Sequence, residues 1–109
     1  VAEEYLQVIT TTDAKDTADQ LARSIVEARL AACVQVLGPI SATYWWEGKV
    51  ESAEEWLLQM KTTADRYEAL AEHIKTHHSY DTPEIVATPI TNGSADYLSW
   101  VRAETRPRE

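Results

Sequence analysis

Residues Ile40 to Thr62 read ISATYWWEGKVESAEEWLLQMKT, and the reading of this stretch decides the fold. Gly48 stands between two strand-like runs, which is the signature of a reversing turn, so a hairpin tip is expected at WWEGKVES. In the returning run EWLLQMKT, Trp56, Leu58, Met60 and Thr62 fall on one face and Glu55, Leu57, Gln59 and Lys61 on the other, as in a one-sided sheet strand. Its expected partner is ISATYWW. Upstream, CVQVL alternates Cys33, Gln35 and Leu37 against Val34 and Val36, and Gly38-Pro39 is expected to bend or interrupt that strand.

Further out, EYLQVITTT alternates Leu6, Val8 and Thr10 against Tyr5, Gln7 and Ile9, a strand rich in β-branched residues. In KDTADQLARSIVEARLAA, Ala18, Leu21, Ala22, Ile25 and Ala28 recur at helical spacing, with Asp13 and Asp16 as the expected N-caps. Downstream, Thr63 is expected to cap ADRYEALAEHIKTHH, a helix whose inner face is Tyr67, Leu70, Ala71 and Ile74. Pro83 closes the following loop, EIVATPI reads as a short strand, and Asn92-Gly93 turns into a last helix, SADYLSWVRAET. The tail RPRE is expected to fray. The order β-α-β-β-α-β plus a C-terminal helix predicts an α+β, ferredoxin-like split β-α-β sheet with helices on one face. One domain is expected over residues 1–109, with its core at about 5–104. The other sheet face, with Trp45, Trp46, Trp56 and Leu57 on the long hairpin, leaves apolar surface that self-association would hide.

The chain has 10 basic and 18 acidic residues in 109, a formal charge of -8, so nucleic acid is not an expected partner. Neither is a membrane, since no apolar run approaches about 20 residues. VAEEYLQVITTT lacks the basic and apolar segments of a signal peptide, although a start without methionine leaves room for a removed leader. Cys33 is the sole cysteine and has no intramolecular partner, which suits a reducing cytosol; a cytoplasmic location is the expectation. Four Trp, five Tyr and no Phe favour surfaces that are apolar on one side and wet on the other, such as subunit interfaces.

KTHHSYDTPEI, Lys75 to Ile85, concentrates the metal-binding residue types. His77 and His78 are the candidate ligands for copper or another divalent ion, because neutral imidazole suits borderline-soft metals. Neighbours on a regular helix diverge by about 100°, so the pair would share an ion only where the helix frays or across an interface. A bland reading competes: histidines are favoured at a helix C-terminus without any ligand. Cys33, among Ala31, Ala32, Val34 and Val36, reads first as a small buried hydrophobe and only second as a ligand. His73 reads as solvated or partly packed. No GxSxG, HExxH or phosphate-cradling loop is present, and three glycines in all leave little room for one; the chain is expected not to be an enzyme and to require no cofactor.

The blocks EARLAACVQV, YWWEGKVE, EWLLQMKTT, HHSYDTPEI and ADYLSWV, in this order and spacing from about Val8 to Val101, resemble the CutA family of divalent-cation tolerance proteins. The resemblance implies a homotrimer assembled through the extended hairpins, similar to the PII signalling proteins, with a part in the response to metal ions and, in some members, copper binding. It also implies a ligand set of a histidine pair, here His77 and His78, with a first-strand cysteine. Thr10 stands in that cysteine's place, so a copper site is expected to be weaker or to recruit Asp81 or Glu84. Ser79 replaces a usual proline, which is expected to soften the helix stop and free the histidines. In such a trimer, Lys61, Trp46, Glu47, Tyr80 and Glu84 from neighbouring subunits could line a cleft for a small anionic ligand, or simply pack the interface. A PII-like regulatory or scaffold trimer is thus the alternative to a weak metal binder.

Overall fold

The computed structural model describes residues 4–108; Val1–Glu3 and Glu109, the outer ends of the expected domain, lie outside the described residues. Eight residues, increasingly buried toward Thr12, form β1 (Tyr5–Thr12), followed by α1 (Lys15–Glu27), β2 (Cys33–Trp46) and β3 (Lys49–Thr63). A single 3-10 turn (Ala64–Arg66) leads into α2 (Tyr67–His77), then β4 (Val86–Pro89) and α3 (Ala95–Glu104). Among the described residues the strands form one sheet in the order β2-β3-β1-β4, with every pairing antiparallel. This is the ferredoxin-like arrangement expected from the sequence.

Strand alternation sorts the sheet into two faces. Val8, Leu58 and Met60 are buried with Ala18, Leu21 and Ile25 of α1 and Leu70 and Ile74 of α2, the inner faces read from helical spacing. The opposite face carries two rows in register, Gln7 and Cys33 flanking Lys61, and Ile9 and Gln35 flanking Gln59. Tyr97 of α3 reaches one corner of that face, where its hydroxyl and the Cys33 thiol share a hydrogen bond at 3.3 Å.

At the hairpin tip Trp46 pairs with Lys49, and Glu47 and Gly48 take φ of 49° and 80°. Two consecutive left-handed residues are the geometry of a tight primed turn, which glycine enters without steric cost. ISATYWW pairs with the near end of β3, Ile40 opposite Glu55. The partner of EWLLQMKT therefore differs from the one expected: Leu57–Lys61 lies between β2 residues Leu37–Cys33 on one side and β1 on the other. Fifteen residues make β3 long enough to serve both.

Gly38-Pro39, a cis peptide, does not end β2 but shifts its register between Leu37 and Ile40, so that two residues stand opposite Trp56 alone. The indole fills the space a Cβ at Gly38 would take, with Trp56 Cδ1 at 2.5 Å from that position. Neither Asp13 nor Asp16 caps α1. Ala14 holds the N-cap position without a side-chain bond, while Thr12 Oγ1 donates to Ala14 O at 2.9 Å and Asp16 lies within the first turn. Thr63 starts the 3-10 turn rather than capping α2, and its hydroxyl donates to Asp65 Oδ1 at 2.5 Å. Ser94 does cap α3, accepting from Tyr97 N. The tail is tied down as far as Arg106, whose guanidinium donates to Asp65 Oδ2 at 2.7 Å and to Thr63 Oγ1 at 2.6 Å.

Candidate functional site

His77 is the last residue of α2, and His78 turns the chain into extended geometry with φ -90° and ψ 146°. Serine at position 79 does not leave His78 loose. Its Nδ1 accepts from the Tyr80 backbone N–H at 3.0 Å, so its Nε2 carries the proton and donates to Thr11 O at 2.7 Å. Both ring nitrogens are thus engaged, and the imidazole ties the end of α2 to the end of β1. Tyr80 continues this seam: its ring lies 4.7 Å from that of His78, and its hydroxyl donates to Glu55 Oε2 at 2.8 Å. Burial, and then the Glu55 carboxylate, push the Tyr80 phenol well above its usual range.

The exposed His77 ring folds back along its own helix, and its Nδ1 donates to His73 O at 2.8 Å. It stacks on His73, with ring centroids 4.1 Å apart and planes 25° from parallel. His73 Nε2 lies 2.9 Å from Ser24 Oγ of α1. The Ser24 hydroxyl donates to Leu21 O at 2.9 Å, so the serine oxygen accepts the Nε2 proton of His73. Burial, with His77 as the second cause, lowers the pKa of His73. His73, expected to be solvated or partly packed, is thus tied to Ser24, a residue the sequence did not single out. The spacing His73-x-x-x-His77 puts two imidazoles on one helical face and was a signal for His73, whereas nothing near His73 in the sequence points to Ser24.

The remaining candidates do not join these histidines within one chain. Thr10 is fully buried, its Oγ1 without a hydrogen-bond partner, and alternation places it with Val8 on the helix-covered face. Cys33 is half-buried on the opposite face; its bond and burial push the Tyr97 phenol up to about 12. Lys61, on the same face, donates to Gln35 Oε1 at 3.1 Å. Trp46 and Glu47 sit at the hairpin tip, twelve positions of strand away from Lys61, or roughly 40 Å at strand rise. Asp81 and Glu84 are exposed on the loop after α2. Among the described residues no three His, Cys, Asp or Glu side chains converge in a way that could hold a metal ion. No helix there is long and apolar enough to cross a membrane.

The fold and its histidine-bearing helix end define the class: a small ferredoxin-like α+β protein with a long β-hairpin. The chain belongs to the family described as CutA1 divalent ion tolerance protein, whose profile matches residues 6–104. It is 44% identical to "Protein CutA 1, chloroplastic" of Oryza sativa subsp. japonica over 91% of its length and 56% of the relative's. It is 41% identical to "Divalent-cation tolerance protein CutA" of Citrobacter koseri, over 94% of this chain and 90% of that one. The crystal structure of CutA1 from Oryza sativa superposes with a TM-score of 0.92 at 43% identity, covering 94% of both chains. The chain spans about half the length of the chloroplastic relatives it matches.

The cytoplasmic expectation is overturned. Two relatives are named chloroplastic, and a structure of 33% identity and TM-score 0.91, covering 94% of this chain and 99% of its own, is described as the periplasmic divalent cation tolerance protein of Archaeoglobus fulgidus. The inference from Cys33 is also weak physically, because a lone thiol has no intramolecular partner in either a reducing or an oxidising compartment and so does not distinguish them.

Proposed function

We propose that this chain serves divalent-cation tolerance as a non-enzymatic homotrimer that binds copper(II), or an ion of similar softness, weakly at the C-terminal end of α2. The observation that carries the reading is His77. Its ring is exposed, its Nδ1 proton is spent on the helix, and its Nε2 keeps a lone pair, the form in which imidazole ligates metal. Family membership supports the tolerance role. Calorimetric titration with copper(II) should give a measurable isotherm for the wild type and a much weaker one for His77→Ala; equal isotherms would sink the reading.

A second reading rests on Lys61. This ammonium is held by the neutral amide of Gln35, with no carboxylate in ion-pair reach among the described residues. In a trimer it could meet Trp46, Glu47, Tyr80 or Glu84 of neighbouring subunits and take a small anion, as in a PII-like regulatory protein. Thermal shifts with inorganic phosphate, compared between wild type and Lys61→Ala, should differ if Lys61 has that role.

A further inference from the structure

The proposed function leaves open which side chain joins His77, and the following rests on that reading. We propose that His73 and His77 form a two-imidazole chelate for copper(II) on the solvent side of α2, and that His78 is not a ligand. Residues four apart lie on one helical face a single turn from each other, the spacing with which paired histidines hold one ion. The two rings are immediate neighbours, stacked with centroids 4.1 Å apart and planes 25° from parallel, an arrangement in which their in-plane lone pairs do not yet converge.

The hydrogen bonds fix which nitrogens are available. Ser24 takes the Nε2 proton of His73, which leaves that ring's lone pair on Nδ1; the backbone takes the Nδ1 proton of His77, which leaves its lone pair on Nε2. Each neutral ring therefore offers one donor, and the chelate is completed when the exposed His77 ring swings out of the stack, giving up His73 O, to bring both donors to about 2.0 Å from a common ion while His73 stays on Ser24. Water would fill the other coordination positions, since no third protein donor converges there among the described residues.

Ser24 is a positioning residue in this scheme. Its hydroxyl, anchored on Leu21 O, selects the His73 tautomer and links the site to α1. His78 is excluded because its one lone pair, on Nδ1, is already occupied by the Tyr80 N–H, while its Nε2 carries the proton donated to Thr11 O.

The test is copper(II) titration of the full chain by calorimetry, with electron paramagnetic resonance to count coordinated imidazole nitrogens. The variants are His73→Gln, His77→Ala, His78→Gln and Ser24→Ala, each checked for folding by circular dichroism. Wild type should show two imidazoles. His73→Gln should show one and bind about tenfold more weakly or worse, since even loss of a supporting residue costs 10–100-fold in metal affinity. His78→Gln should keep both imidazoles and its affinity, and Ser24→Ala should weaken binding while keeping the count at two. If His77→Ala abolishes binding but His73→Gln leaves count and affinity unchanged, or if His78→Gln removes an imidazole, the chelate is wrong while the proposed function stands. If the wild type binds no copper(II), both fall together.

Discussion

Asp65 shows how far one exposed carboxylate can matter. Arg106 and then Thr63 hold its pKa well below the usual carboxylate range, and the pair fastens the end of the chain to the start of the 3-10 turn. A depressed folded pKa stabilises above the unfolded value and stops doing so as pH falls toward the folded one. The wild type should therefore exceed Asp65→Asn in stability at neutral pH by about 1 kcal/mol, a figure kept small because the Asp65 side chain is 56% exposed and screened by water. That difference should hold down to about pH 5, shrink as the unfolded carboxyl protonates near about pH 4, and vanish below the folded pKa. Thermal midpoints of both proteins from pH 7 to 2 check this, and a gap that does not change with pH would contradict it. The histidines make the complementary point about legibility. Their presence was plain in the sequence, but their roles depend on Ser24 and Thr11, which lie 49 and 67 positions away and leave no local signal.

Among the elements, alternation and helical spacing made β1, β3, α1 and α2 legible, because each buries one face, while β4 and α3 were placed from the punctuation of Pro83 and Asn92-Gly93. What they could not show was register. β3 reads as one strand but pairs with β2 along its length and with β1 over its second half, and the shift at Gly38-Pro39 depends on a side chain from the opposite strand. Caps failed for a related reason: Asp13 and Asp16 are good capping residues, yet the chain places Ala14 at the cap position. The contact between Gly38 and Trp56 gives the register shift a testable form. A Cβ at Gly38 would force the indole to move, so Gly38→Ala should destabilise by about 1–3 kcal/mol, the usual cost of overpacking. Replacing Trp56 by Val removes the clashing ring, so in the double variant the two losses should sum to less than their separate values. Strictly additive thermal or denaturant shifts would show that the contact is not what fixes the shift.

At the scale of the whole molecule, the subunit is less compact than its length allows. Its radius of gyration is 14.6 Å, against about 13 Å for a compact chain of this size. The excess comes with a hairpin whose tip is exposed and apolar: Trp45 is 74% exposed, Trp46 60% and Val50 59%. Leu37 and Val86 add to this on the sheet face opposite α1 and α2. A lone subunit would present these side chains to water without compensation, whereas burial contributes about 25 cal/mol per Å² of apolar surface removed. Association is therefore favoured at both the sheet face and the hairpin, and one copy cannot cover its own tip, because the tip and the root of β3 are roughly 40 Å apart. Sedimentation equilibrium at micromolar concentration should give the mass of three chains, and the thermal midpoint should rise with protein concentration, as it does when folding and assembly are linked. Replacing Trp45 and Trp46 with Ser should shift the mass toward the monomer and lower the midpoint while the far-ultraviolet dichroism of the helices persists, since neither indole belongs to the core under α1 and α2. A wild type that sediments as a single chain would mean that the exposed hairpin is stable in water by itself, and the cleft reading of Lys61, which needs neighbouring subunits, would fall with the trimer.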